Sequence, residues 1–448
     1  MAERLAHTDT TDRDTVDKDA AIARFRERRF GLFVHWGLYA LAARGEWMRH
    51  YERTTNADYQ QYFDHFDPDL YDPREWVAQA EAAGMRYAVM TTKHHDGFCL
   101  WDTDLTDYRA ANTPYGRDLI RPFVDALRER DMGVGLYHSL IDWHHPQFPI
   151  DGLHPLRDDA EAVAGNNQRD IAVYRRYLHG QVRELLSRYG RIDTMWMDFS
   201  YVDHLHDGTV VWGGKGAADW GSEELLKTVR TLQPGILLND RTGLPGDFVT
   251  PEQYQPSGPM TRDGEPVLWE ACQTLNGTWG YDRDNRDFKS VGLLLRMLVD
   301  TVSKDGNLLL NVGPTARGEF DPVAAETLRG IGRWMRLHGR SIHGAGPSAF
   351  VPPPDCRYTQ RGDRLYLHLF AWPFDAVHLP GLADRVVYAQ FLHDAAEVRR
   401  EVSDPNDKHA YATSSAGQPP GTLTLLLPTR PPEAEIPVIE LFLKDPAP

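Results

Sequence analysis

Ile192-Asp193-Thr194-Met195-Trp196-Met197-Asp198-Phe199 reads as a buried β-strand that ends in a carboxylate. An apolar run of this length between helical patterns belongs to a sheet covered on both faces. A carboxylate at its C-terminal end must pair, bind an ion or do chemistry, because burying an unpartnered charge costs several kcal/mol. Outward from this segment, apolar strands alternate with amphipathic helices from about residue 25 to 345. Strands are expected at 30–36, 87–92, 134–139, 235–239, 267–274 and 307–312, and helices at 72–83, 118–131, 170–189, 223–232, 288–303 and 322–338. This alternation implies a parallel sheet flanked by helices. Seven strands with a weak eighth predict an irregular (β/α)8-like, TIM-type barrel, in which Asp198 faces the mouth. No GxGxxG turn supports a doubly wound nucleotide fold.

Composition changes at Pro352-Pro353-Pro354. Beyond it the period drops to two, at 364–370, 385–392, 422–427 and 438–443, which predicts a C-terminal antiparallel β-sandwich. The expected organisation is a polar segment at 1–24, a catalytic barrel at 25–348 and the sandwich at 355–448. The net charge of −16 over 448 residues excludes a basic nucleic-acid face. No segment approaches the roughly 18 consecutive apolar residues of a membrane span. Cys99, Cys272 and Cys356 are isolated from one another, and the polar N-terminus lacks the apolar core of a secretory signal. A cytoplasmic protein is therefore expected; these features neither exclude nor specify a homo-oligomer.

The barrel strands end in imidazoles, indoles and carboxylates rather than turn formers. In order they are His35-Trp36-Gly37 with Glu46-Trp47, Lys93-His94-His95-Asp96-Gly97, Tyr137-His138, Trp196 with Asp198, Asn239-Asp240-Arg241, and Trp269-Glu270. A metal site would need ligands at close spacing on one side. His35 has no partner two residues on, and adjacent His94 and His95 would face opposite ways along an extended chain. The mixture suits a sugar instead, with indole faces for its C–H surface and His and Glu for its hydroxyls. Glycoside hydrolysis needs two carboxyl groups. Asp198 supplies the first. Glu252, in Thr250-Pro251-Glu252, and Glu270 both stand open for the second, with Glu270 also expected as a structural partner of Arg241.

These segments resemble the α-L-fucosidases of glycoside hydrolase family 29. The resemblance is carried by Phe30-Gly31-Leu32-Phe33-Val34-His35-Trp36-Gly37, Lys93-His94-His95-Asp96-Gly97-Phe98, Trp196-Met197-Asp198, Asn239-Asp240-Arg241, Thr250-Pro251-Glu252, Trp279-Gly280-Tyr281 and Asn307-Leu308-Leu309-Leu310-Asn311-Val312-Gly313-Pro314. It implies a barrel followed by a β-sandwich, and retaining, exo-acting release of α-L-fucose from fucosylated oligosaccharides through a covalent intermediate, with no metal or organic cofactor. It makes Asp198 the nucleophile and Glu252 the acid/base, and it places His35, Glu46, Trp47, His94, His95, Tyr137, Trp196, Arg241 and Trp279 around the fucose. The chain departs from the family pattern at Phe199-Ser200-Tyr201, which forms part of the pocket wall, and in lacking a secretion signal. Against this stand a retaining hydrolase of a related galacto-configured or 6-deoxy sugar, a fucose-binding protein without catalysis, and a metal-dependent barrel hydrolase.

Overall fold

The computed structural model describes residues 6–402 and 413–445. Eight parallel strands follow one another around a barrel: β1 (Phe30–Val34), β2 (Tyr87–Lys93), β3 (Gly133–Ser139), β4 (Thr194–Asp198), β5 (Leu237–Leu238), β6 (Phe248–Val249), β7 (Leu268–Thr274) and β8 (Gly306–Val312). Every residue of β1–β4, β7 and β8 is buried. That explains their largely apolar character.

The weak eighth strand is β6, only two residues long. The barrel closes there through one parallel bridge from Asn239 to Phe248. Asp247 reinforces the seam, since its backbone N–H donates to the Leu238 carbonyl (2.7 Å) and its carboxylate accepts from the Leu238 N–H (2.9 Å). Neighbouring β5 is equally short, and Asn239 extends it with a side chain. Its amide accepts from Met197 N and donates to Met197 O, both at 2.9 Å, in place of the missing ladder.

The helices begin where side-chain caps allow. Asp72 accepts from Arg74 N and Glu75 N ahead of Pro73–Ala82, and Asp321 accepts from Val323 N ahead of Pro322–His338. In both, Pro occupies the first turn, where its missing N–H costs nothing. Ile120–Glu129, Ile171–Arg188, Ser222–Leu232 and Val291–Ser303 complete the outer layer. No helix lies between β5 and β6 or between β6 and β7, so the barrel is irregular. Among the described residues, no helix is long and apolar enough to cross a membrane.

Two features were not read from the sequence. The segment read as polar up to residue 24 carries a helix, Ala6–Arg28, whose Ala21 and Phe25 are buried against the lower end of the barrel; residues 1–5 lie outside the described residues. C-terminally, the four expected strands are joined by Cys356–Arg361, Ala376–Leu379 and Arg400–Val402, making antiparallel sheets of four and three strands around their own core. Residues 403–412 and 446–448 of that region lie outside the described residues. These sheets dock on the barrel's last helices through Trp334 Nε1 to the Ile436 carbonyl (2.9 Å) and Arg357 to Asp300 (2.8 Å).

Candidate active site

Each of the eight strands sends at least one polar or aromatic side chain to the C-terminal mouth. In strand order they are His35, His94 with His95, Tyr137, Asp198, Arg241, Glu252, Trp279 and Asn311. Asp198 is the last residue of β4 and is buried. Its Oδ2 accepts from the Tyr137 hydroxyl at 2.8 Å, and its Oδ1 lies 3.1 Å from Arg241 Nη1.

The same Nη1 lies 2.7 Å from Glu252 Oε2, so one nitrogen bridges both carboxylates. Those two oxygens are therefore no more than about 6 Å apart, in the range of a retaining pair rather than the roughly 6.5–9.5 Å of an inverting one. Glu252 sits on the loop after β6 with its side chain 38% accessible, whereas that of Asp198 is 11% accessible. Arg241 is itself held in place. Its Nε donates to Thr250 Oγ1 (2.9 Å), whose hydroxyl donates to Asp240 (3.0 Å). Burial opposes the Arg241 charge, but Asp198, Cys272 and Glu252 outweigh it and raise its pKa.

His35 and His95 are neutral, and each is locked in one tautomer. Asn311 Nδ2 donates to the Trp279 carbonyl (2.7 Å), which turns its Oδ1 toward His35 Nδ1, also at 2.7 Å. The Ser139 hydroxyl donates to the Ile141 carbonyl (2.8 Å) and so accepts from His95 Nδ1 (2.6 Å). Both imidazoles therefore carry the proton on Nδ1 and present a bare Nε2 acceptor. Burial, only partly offset for His35 by the Asn311 bond, lowers both to about 3. His95 Nε2 stands 4.0 Å from Asp198 Oδ2. His94, also kept well below its ordinary value by burial, is not turned away from His95; their ring centroids are 4.0 Å apart. Strand β2 ends at Lys93, and the turn from His94 to Gly97 brings both rings to one side. Gly97 permits this turn, with φ +83° and space for a Cβ only 2.2 Å from Asp142 Oδ1.

Aromatic walls complete the cavity. The Trp47 ring lies 5.1 Å from His95, and Trp279 lies 5.1 Å from His35. Phe199 packs 5.5 Å from His95 and 5.8 Å from Trp47. Buried Glu46 accepts from Gly280 N at 2.7 Å; burial raises its pKa and the backbone N–H groups hold it down. Trp196 offers its face to Arg241, whose Cζ lies 5.1 Å from the ring centroid.

Glu270 does not pair with Arg241. It is fully buried near the lower end of β7, where Tyr87 OH and Trp196 Nε1 donate to its two oxygens. Asn311 and Ser139 are functional positions that the sequence reading left out. The signal for Asn311 was a polar side chain inside the apolar run of β8, and for Ser139 a polar residue closing β3. Among the described residues, no group of three His, Cys, Asp or Glu side chains could hold a metal ion.

The sequence profile of the family described as Alpha-L-fucosidase matches residues 2–340. Tissue alpha-L-fucosidase of Homo sapiens is 27% identical over 397 residues, spanning 82% of this chain and 79% of the human protein. Plasma alpha-L-fucosidase of Rattus norvegicus is 28% identical over 397 residues, spanning 80% of each. Among solved structures, alpha-L-fucosidase isoenzyme 1 from Paenibacillus thiaminolyticus matches with a TM-score of 0.86 and 45% identity, covering 96% of this chain and 100% of that one. An alpha-L-fucosidase of family GH29 from Bacteroides thetaiotaomicron, trapped as a covalent intermediate with 2-fluoro-fucosyl fluoride, matches with a TM-score of 0.78 and 25% identity over 95% of this chain and 96% of that one.

Proposed function

The chain belongs to the α-L-fucosidase family of glycoside hydrolases, and on that premise we propose that it releases terminal α-L-fucose from fucosylated oligosaccharides with retention of configuration. The observation that carries this reading is the single Arg241 nitrogen shared by Asp198 and Glu252, which holds two carboxyl groups at a retaining separation in the barrel mouth. Asp198 attacks the anomeric carbon while the bond to the leaving oxygen breaks, and Glu252 delivers a proton to that oxygen. Glu252, now a carboxylate, takes a proton from water. The resulting hydroxide attacks the same carbon and releases Asp198.

The bare Nε2 atoms of His35 and His95 accept hydrogen bonds from ring hydroxyls, while Trp279 supports the C5 methyl. Tyr137 keeps its proton, since burial and Asp198 both raise its pKa. It therefore donates to Asp198 and steadies the attacking carboxylate. A reducing, cytoplasmic setting belongs to the same proposal and is supported by three buried cysteines that form no disulfide.

The test incubates wild type and Asp198→Ala with an aryl α-L-fucoside and follows phenol release. Proton NMR identifies the first anomer formed. Turnover that collapses by several orders of magnitude in the variant, with α-fucose appearing first, is expected. A wild type inert toward the fucoside, or one that forms the β-anomer first, would overturn the assignment.

A further inference from the structure

Glu270 is an expensive residue to keep where it is. It has no exposed surface and sits third in the seven-residue β7, in register with Asn307, the second residue of β8. Its oxygens accept from the Tyr87 hydroxyl at 2.5 Å and the Trp196 indole at 2.7 Å. Neither partner is charged, so desolvation dominates and raises the carboxyl to about 7. An apolar side chain of similar volume would fill the space without that penalty. The fold makes room for this arrangement, since Gly31 leaves clear the space a Cβ would occupy 2.4 Å from the Tyr87 ring.

Trp196 is the link from this carboxyl to the mouth. Its N–H points to Glu270, while its ring lies under the guanidinium of Arg241 at 5.1 Å. Arg241 in turn holds Asp198 at 3.1 Å and Glu252 at 2.7 Å. An indole whose N–H donates to a carboxyl oxygen gains electron density in its ring and so holds a cation over its face more strongly. The same hydrogen bond stops the indole from rotating, which sets the height of the platform on which Arg241 rests.

We infer that Glu270 is a positioning residue that acts through Trp196 to set the guanidinium of Arg241, and with it the spacing of Asp198 and Glu252, without touching substrate. This rests on the retaining α-L-fucosidase reading of the site. It accounts for a Trp-Glu pair that supplies neither the nucleophile nor the acid.

The test measures kcat and KM on an aryl α-L-fucoside for the full chain carrying Glu270→Gln, Arg241→Lys, or both. Glu270→Gln should lower kcat roughly 10- to 100-fold, the scale of a misplacement of up to about 1 Å, and leave KM within about threefold. In the Arg241→Lys background the same change should cost less than about threefold, because lysine neither stacks as a plane nor bridges two carboxylates and the relay is already cut. Equal losses in both backgrounds, or an unchanged kcat in the first, would overturn the inference. Should Glu270→Gln fail to fold, Trp196→Phe keeps an aromatic platform and removes the N–H, with the same loss and coupling expected and the same results counting against it. A wild type inert toward the fucoside would instead remove the fucosidase reading itself, and the relay with it.

Discussion

Replacing Glu270 by Gln should flatten the pH dependence of stability. Burial raises this carboxyl from 4.5 to about 7. Between those values the unfolded chain has released the proton and the folded chain has kept it. The folded state thus binds more protons, and stability falls as pH rises. At about 1.4 kcal/mol per pH unit, the contribution is about 3 kcal/mol, fully present below about pH 4.5 and lost by the time pH has passed about 7. Glutamine has no proton to lose. It leaves either Tyr87 O–H or Trp196 N–H without an acceptor, at a cost of about 1–3 kcal/mol, but that cost is the same at every pH. The discriminating quantity is therefore the change in melting temperature between about pH 5 and about pH 7.5, compared between the two proteins. An unfolding entropy near 2.1 cal/mol/K per residue makes 1 kcal/mol worth about 1 °C for 448 residues. Thermal unfolding followed by circular dichroism should show the wild type losing roughly 2–3 °C more than the variant over that interval. Parallel shifts would refute the reasoning, because they would mean that Glu270 titrates alike in the folded and unfolded chain.

Asn311→Asp places a carboxylate at His35 Nδ1, which favours the imidazolium and raises a pKa now held at about 3. Protonation turns Nε2 from acceptor to donor, so KM of the variant should climb as pH falls toward about 5; KM curves for variant and wild type that run parallel in pH would contradict the tautomer assignment. Glu252→Ala should cost about 10²–10⁴ in kcat/KM on a sugar leaving group and much less in kcat/KM on an acidic phenol, which departs without protonation. Equal losses on both substrates would count against its role as the acid. Gly31→Ala drives a Cβ into the Tyr87 ring at 2.4 Å and should destabilise by about 1–3 kcal/mol; a denaturation midpoint equal to wild type would show that the ring moves freely.

Much of the site was legible because it is built from strand ends. Each parallel strand runs into its loop at the mouth, so a polar residue closing an apolar run, as Asp198 closes 192–198, declares its place locally. Strand β6 could not be read this way, since two residues carry no period and it exists only because Asn239 and β7 pair with it. Adjacent His94 and His95 were misread for the same reason in reverse. A strand period was extended beyond Lys93, where the chain already turns. The helix at Ala6–Arg28 escaped notice because its sequence is largely polar, although Ala21 and Phe25 in its later turns are buried.

The order of the strands other than β6, their buried character and the residue types gathered at the mouth follow from the sequence alone, because period and strand termination are properties of a few consecutive residues. Which side chain meets which was decided by closure of the barrel. Tyr87 and Trp196 reach Glu270 from 183 and 74 positions away, and Arg241 comes to lie between two carboxyl groups, one closing β4 and one on the loop after β6. The tautomers of His35 and His95 depend in the same way on Asn311 and Ser139, 276 and 44 residues distant. Hydrogen bonds and ion pairs act over about 3 Å, a distance on which separation along the chain has no bearing until the sheet has closed.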